Sequence, residues 1–546
     1  MIPPHKIDPQ AGPDISQDAA HTSKVRGEQT GVPHSPGKLP PETAPEGKSL
    51  QPQYVLGFVT AVICVLGLIA LVFPKQGVKI PEVKLVGTNL TVIPGFTAYF
   101  PTWNDFFEAD TNEAKDLDDI LAALAAPIDS KTQAALDTTA QFAKAANMNR
   151  PPNTIQYPND DPSILFPAFE ALEKAQQSQK PVRVIHFGDS QIEGDRMSGL
   201  FRARMQERFG GTGPGLVAGK PLTSSMSVVQ EASENMRRYA QYGGIDKSVK
   251  HRRYGAMAIF SRFAPIVPDS AFTESETHTG WLSIGVPGSA YATSKTFTKL
   301  KMYYGFNRSD VNVKVFLDDV PFADETLPAN KTLKVKTWRF NSTPKKIMII
   351  MEGFDSPDIY GLSLEGDGGV ALDNISMRGS SGTTFTSLEH IPFKPMLDSL
   401  NPKLLLLQYG GNTVPYIKDK KAADNYGRSF KAQIDYLKGL VPGAAIIVIG
   451  PGDMSTKVDG EMQTYPNLVD IRDALRKAAF DAGAGFFDIY EAMGGHNSMI
   501  TWVEAKPSLA AADYVHFSPG GAKIIAEAFI KSFMADYEAY HQARVN

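Results

Sequence analysis

The chain has 546 residues, enough for two or three domains, with the apolar and charged fractions of an ordinary globular protein. A formal net charge of -4, with no basic tract interleaved with aromatics, excludes an electrostatic case for nucleic acid as a partner. The single cysteine, Cys64, excludes intrachain disulfides and cysteine-based metal sites, and a cysteine-free remainder suits an oxidising compartment.

Residues 1–53 are rich in Pro, Gly, Ser, Gln and charge and poor in aromatics, which predicts a disordered tail. Residues 54–73 (YVLGFVTAVICVLGLIALVF) carry no charge and match the length that crosses a bilayer core. The stretch starts too late and runs too long for an ordinary cleaved signal peptide, so it predicts an uncleaved transmembrane signal-anchor. Lys6, Lys24, Arg26, Lys38 and Lys48 precede it, and Lys75, Lys79 and Lys84 follow, a bias toward a cytoplasmic N-terminus. The expected address is a single-pass inner (cytoplasmic) membrane protein whose remaining chain is periplasmic or otherwise extracytoplasmic. An N-terminal extension follows over 74–180. Within it, 75–101 reads as extended, 112–148 as a helix interrupted at Pro127, 149–161 as a Pro/Asn/Asp-rich linker and 163–177 as a helix.

An α/β texture begins at 181–220, with a strand at 182–187 and a helix at 196–209. From 221 to 366 the texture changes to short β-like runs at 256–260, 281–286, 300–304, 311–317, 333–340 and 346–351, separated by turn residues. That spacing predicts a β-sandwich. The α/β texture resumes over 367–546, with strands at 369–376, 404–409, 444–449 and 485–489 and helices at 423–440, 465–482 and 519–535. Strands alternating with helices imply a parallel, doubly wound sheet, and the β-rich stretch is then an insertion into it.

In an open parallel sheet, ligands bind outside the carboxyl ends of the strands. Gly188-Asp189-Ser190 follows the first strand, Gly410-Gly411-Asn412 follows the strand at 404–409, and Asp513-Tyr514-Val515-His516 precedes the last helix. A serine hydroxyl is a weak nucleophile until a base takes its proton. His516 is the candidate base, and Asp513, three residues earlier, the group that would hold the imidazole tautomer. The oxyanion of acyl transfer needs fixed N–H donors, for which the Ser190 backbone, the Asn412 amide and the Gly379 backbone are candidates. Taken singly, each of these short motifs is an ordinary turn; their joint order at strand ends carries the reading.

These blocks resemble the SGNH (GDSL-type) hydrolases. Gly188-Asp189-Ser190 matches the first block, Gly379 the second, Gly410-Gly411-Asn412 the third and Asp513-x-x-His516 the last, over roughly 181–219 and 366–535. The Gly-x-Ser-x-Gly elbow of α/β-hydrolases is absent around Ser190. The resemblance implies a flavodoxin-like SGNH sheet with Ser190, Asp513 and His516 as catalytic residues and Ser190, Gly379 and Asn412 as the oxyanion hole. A membrane anchor and an inserted β-sandwich further resemble bacterial peptidoglycan or polysaccharide O-acetylesterases, whose insert is carbohydrate-binding-like. Gly368-Gly369-Val370-Ala371-Leu372-Asp373-Asn374, at the return into the sheet, is similar to theirs.

The implied function is a serine esterase that removes O-acetyl groups from a cell-envelope polysaccharide, with no cofactor and no metal. One alternative is an O-acetyltransferase with the same triad, fed by a polytopic membrane acyltransferase. A second is a non-catalytic envelope-binding protein. Asp189, Gln191, Arg378 and Trp281 are candidate substrate contacts. Against them stand plainer readings: a turn residue for Asp189, solvent for Gln191 and Glu193, ion pairs for Arg196 and Arg378, and buried core for Trp281, Trp338, Tyr303 and Tyr304. His186, inside the first strand, reads as a packed histidine, and His496 and Asn497 fall near the site's rim by topology.

Overall fold

The computed structural model describes residues 154–545 and four short strands nearer the N-terminus. Among those four, Val78–Ile80 pairs antiparallel with Phe96–Ala98, and Val83–Lys84 with Thr91–Ile93. The tail at 1–53, the apolar stretch at 54–73 and the predicted helix at 112–148 lie outside the described residues. Among the described residues no helix is long and apolar enough to cross a membrane.

The larger unit is organised on one parallel sheet. Its strands are β1 (Val182–Gly188), β2 (Val370–Ser376), β3 (Pro402–Gln408), β4 (Ala445–Ile449) and β5 (Gly485–Phe487), in the order β2-β1-β3-β4-β5. Every neighbouring pair is parallel. The runs VRVIHFG, PKLLLLQ and AIIVI are nearly continuous in apolar residues because both faces of the sheet are covered.

Six helices do the covering: α1 (Phe166–Glu173), α2 (Ser198–Phe209), α3 (His390–Leu400), α4 (Lys420–Leu440), α5 (Leu468–Asp481) and α6 (Pro519–Val545). Successive side chains on a strand point to opposite faces. Ile185, Phe187, Leu405 and Leu407 accordingly join one cluster with Phe393 of α3, Phe430 of α4 and Leu475 of α5. Val184, Leu404 and Leu406 join another with Phe169 of α1, Phe201 of α2 and Phe529 of α6. Outside β5, Gln156 forms an antiparallel bridge with Phe486 through hydrogen bonds of 2.7 and 2.8 Å.

Between α2 and β2 the chain forms two antiparallel sheets. One has the strand order Val320–Leu327, Val311–Leu317, Lys346–Gly353, His278–Gly285, Val229–Ala232. The other runs Leu333–Arg339, Lys299–Gly305, Asp358–Glu365, Ile259–Arg262, Arg237–Ala240, with Gly215–Val217 also paired to Asp358–Glu365. Leu282, Val313 and Ile349 from the first sheet share a core with Leu300, Met302 and Leu362 from the second. In Val311–Leu317, Val311, Val313 and Val315 are buried and Asn312 and Lys314 are exposed, the period-two signature of a strand with one covered face.

A buried charge cluster ties this region to the parallel sheet. Arg183 of β1 donates to both oxygens of Asp373 of β2 at 2.7 and 2.9 Å, and also pairs with Glu365 at the end of the last inserted strand. Lys301 joins Glu365, and Asp373 accepts the Leu216 N–H at 2.8 Å. Removing either sign alone would leave an uncompensated buried charge, which costs about 3–5 kcal/mol.

Some elements depart from the sequence-based expectation for local reasons. Pro392 and Pro395 hide α3, and the helix expected at 163–177 is divided into two 3-10 turns flanking α1. Pro321 masks Val320–Leu327, an edge strand of its sheet, where a missing N–H costs no ladder bond. The last helix continues ten residues beyond 535, because Phe533, Tyr537 and Tyr540 still pack against α1 and the end of α2.

Candidate active site

Gly188, the last residue of β1, is level with Ser376 of β2 and Gln408 of β3. The strand order reverses about β1, so the crevice at the carboxyl ends of β1 and β3 is the topological switch point where such sheets bind ligands. Ser190 stands two residues past β1 and begins a 3-10 turn, Ser190–Asp195. Asp189 caps that turn, its Oδ1 accepting the Gln191 N–H at 2.9 Å. Position 188 is tight: a Cβ there would lie 2.9 Å from Ile192 Cδ1 and 3.1 Å from the Gln408 carbonyl, so both would have to give way. Gly410, past β3, has a φ of +121°, a region closed to other residues, and turns the chain into the Gly411–Thr413 turn that carries Asn412.

His516 comes from the loop before α6, 326 residues away in sequence, yet its Nε2 lies 2.8 Å from Ser190 Oγ. Its Nδ1 donates to Asp513 Oδ2 at 2.7 Å. Asp513 Oδ1 accepts the backbone N–H of Val515 and of His516, each at 3.0 Å. Partial burial opposes ionisation of Asp513, but the His516 hydrogen bond and these N–H groups outweigh it and hold the carboxyl below its ordinary range. A carboxylate accepting from Nδ1–H leaves Nε2 as the acceptor for the Ser190 hydroxyl proton.

Asn412 lines the same pocket as Ser190 and His516. One of its amide hydrogens goes to the Ser380 carbonyl at 3.1 Å, linking the loop after β3 to the turn after β2. Gly379 precedes Ser380 in that turn, with a φ of +79°, and does not line the pocket. The pocket has a volume of about 180 Å³, walled by Tyr409, Pro415, Pro451 and Met454.

Two side chains join the serine turn to the histidine loop. Gln191 Nε2 donates to the Val515 carbonyl at 2.6 Å, and its Oε1 accepts the Phe517 N–H at 3.2 Å. Arg196 donates to the carbonyls of Ser190 (2.7 Å), Glu193 (2.9 Å) and Phe517 (3.0 Å). Gln191 is therefore engaged with backbone on both sides of His516, while it also lines the pocket that holds Ser190. The ion pair expected for Arg196 is not among those of the described residues: its guanidinium is held by these three carbonyls.

The other candidates have structural surroundings too. Arg378 makes a two-pronged ion pair with Glu193 at 2.8 and 2.6 Å. Asp189 is buried beside Ser190, and that burial pushes its carboxyl up to about 6 against the pull of the Gln191 N–H and His516. Trp281 lies in His278–Gly285, partly exposed, and does not line the Ser190 pocket. Trp338, Tyr303 and Tyr304 are buried. His186 is packed inside β1, its Nδ1 2.8 Å from Ser198 Oγ and its Nε2 3.1 Å from Gln408 Oε1. Asn497 exchanges hydrogen bonds of 2.9 and 2.7 Å with Thr464 and so braces the 455–464 hairpin beside the site. Among the described residues no group of three or more His, Cys, Asp or Glu is placed to hold a metal ion.

No protein-family model matches the sequence, and no curated protein does. Solved structures do. A structure described as "Peptidoglycan O-acetylesterase in action, 5 min" matches over 68% of this chain and 96% of its own, with a TM-score of 0.52 and 19% identity. A family two carbohydrate esterase from Clostridium thermocellum, in complex with cellohexaose, matches over 56% of this chain and 99% of its own at 9% identity and a TM-score of 0.24. An acetyl xylan esterase matches over 29% of this chain and 79% of its own at 17% identity and a TM-score of 0.23. The first likeness establishes the fold: the chain has the SGNH-type α/β architecture.

Proposed function

We propose, from the SGNH-type fold as premise, that this chain is a serine esterase that removes O-acetyl groups from a cell-envelope polysaccharide through an acetyl-Ser190 intermediate. The observation that carries the reading is the continuous chain Ser190 Oγ, His516 Nε2, His516 Nδ1, Asp513 Oδ2, with links of 2.8 and 2.7 Å. Support for an acetylated saccharide comes from the likeness to a peptidoglycan O-acetylesterase.

Ser190 Oγ bonds to the acetyl carbonyl carbon while His516 Nε2 takes the hydroxyl proton. The carbonyl oxygen becomes an oxyanion, for which the Ser190 N–H and the second amide hydrogen of Asn412 are the donors within the pocket; Gly379, expected to supply a third N–H, does not line it. The intermediate collapses, the sugar oxygen leaves and takes the proton from His516. Water, deprotonated by His516, then attacks the acetyl carbon; the bond from that carbon to Ser190 Oγ breaks, Oγ takes back the proton from His516, and acetate leaves. Asp513 holds the imidazole tautomer and stabilises the imidazolium in both halves.

The side chains of His516 and Asp513 are 34% and 49% exposed. A pair this open to solvent favours water over a sugar hydroxyl as the acceptor, since a transferase must shield its acyl-enzyme. The uncharged stretch at 54–73 is the basis for proposing a membrane anchor and an extracytoplasmic site. The test is to incubate the full chain with an O-acetylated polysaccharide, with and without an acceptor oligosaccharide. Free acetate that disappears in Ser190→Ala is expected; acetylated acceptor in place of acetate would make the protein a transferase, and no turnover of any acetyl ester would overturn the reading.

A further inference from the structure

We propose that Tyr416 is the platform on which the sugar ring bearing the ester stacks, and that it selects saccharide esters over small acyl esters. The assignment rests on the ester-hydrolase reading of Ser190. Tyr416 lines the pocket that holds Ser190, Asn412 and His516, yet it is 80% exposed, more than any other large apolar side chain among the described residues. A single exposed aromatic on a surface needs no explanation. One at the mouth of this pocket, on fixed backbone, does.

The backbone is fixed by an unusual concentration of hydrogen bonds. The N–H groups of Tyr416 and Ile417 both donate to the Thr413 carbonyl, at 3.0 and 3.1 Å. Asn467 donates one amide hydrogen to the Val414 carbonyl at 2.8 Å and the other to the Ile417 carbonyl, bracketing Tyr416. Thr413 itself is tied to the Gly410 carbonyl through N–H and Oγ1 at 3.0 and 2.7 Å. The turn that presents Asn412 thus also presents Tyr416, whose backbone is fixed so that only its two side-chain torsions remain to be ordered by a ligand.

The pocket's size and chemistry say what would rest there. At roughly 180 Å³ the pocket has room for the acetyl group beside Ser190, and Tyr416, at its exposed margin, is placed to meet the sugar ring that carries the ester. Among the described residues no Lys or Arg lines the pocket, and Asp189 does, so an anionic head finds no lysine or arginine there to pair with. Pro415 and Pro451 continue the apolar rim, which suits the C–H face of an uncharged sugar ring.

The experiment compares kcat and KM of the wild-type full chain, Tyr416→Ala and Tyr416→Trp on two substrates, ethyl acetate and an O-acetylated β-1,4-linked N-acetylglucosamine oligosaccharide. For Tyr416→Ala the KM for the oligosaccharide should rise on the order of tenfold, the worth of one aromatic stacking contact. Its kcat/KM for ethyl acetate, which has no ring to stack, should fall several-fold less than that for the oligosaccharide, and Tyr416→Trp should keep the wild-type oligosaccharide KM. An unchanged oligosaccharide KM in Tyr416→Ala, or an equal loss on both substrates, overturns the Tyr416 assignment while leaving the esterase reading intact. A wild-type chain that cleaves neither ester overturns both.

Discussion

Gln191 Nε2 donates to the Val515 carbonyl at 2.6 Å, across 324 residues of sequence. Its Oε1 accepts the Phe517 N–H, so one carboxamide grips the backbone on each side of His516 while its own main chain adjoins Ser190. The 2.8 Å contact between Ser190 and His516 is therefore set by a neighbour that touches neither reacting atom.

Gln191→Ala should lower kcat for a small acetyl ester by about ten- to a hundredfold, since a displacement near 1 Å at a reacting pair costs up to about a hundredfold. Its KM should hold within about twofold. Gln191→Glu should lose activity similarly, because a carboxylate cannot donate to the Val515 carbonyl. Steady-state kinetics beside a thermal melt checks this: a lower melting temperature with kcat intact would reduce Gln191 to a packing role.

Arg196 reaches three carbonyls, those of Ser190, Glu193 and Phe517. A lysine ammonium is a point donor and cannot span this fork. Arg196→Lys should therefore lower kcat by about tenfold or more, and added guanidinium should restore part of the activity of Arg196→Ala but not of Arg196→Lys. Equal recovery of both variants would contradict the geometric role.

Asn412 has one amide hydrogen on the Ser380 carbonyl and a second for substrate oxygen. If that second donor meets charge that develops only in the transition state, Asn412→Ala should lower kcat by about 10²–10³ with little change in KM. A rise in KM at constant kcat would instead mean that Asn412 binds the ground state.

Much of the frame was legible from sequence because its signals are local. Residues 311–315 alternate apolar and polar, and 182–187 and 404–409 are predominantly apolar runs followed by Gly-Asp-Ser and Gly-Gly-Asn. The strand Asp358–Glu365 carries Gly361 and two charged ends, which hides it, yet all eight residues are buried. Its charges are matched from far away, Asp358 by Arg262 at 2.7 Å and Glu365 by Arg183 and Lys301. The serine, the histidine and the aspartate could be placed by motif; the grip of Gln191 and Arg196 could not, because a glutamine or arginine near a nucleophile carries no local sign of a partner more than 300 residues on.

His186 offers a test of stability against pH. Burial pushes its imidazole down to about 4 from an ordinary 6.5, against the partial support of Gln408. The unfolded chain thus takes up a proton as pH falls below 6.5, while the folded chain does not until about 4. Stability from this group is present above pH 6.5 and is lost as pH falls toward 4. Asp189, raised to about 6, acts with the opposite sign in an overlapping window, so the comparison must be made between variants. Urea unfolding of wild type and His186→Gln at pH 7 and 4.5 should show the smaller acid loss in the variant; equal losses would mean that His186 is charged in the fold.

The most direct test of the account is covalent capture at Ser190. The full chain is treated with a fluorophosphonate, digested and sequenced by mass spectrometry. One phosphonyl adduct on Ser190 is expected, absent in Ser190→Ala and formed at least about a hundredfold more slowly in His516→Ala. Cleavage of acetyl esters by a chain that carries no adduct at Ser190, or undiminished cleavage by Ser190→Ala, would contradict it.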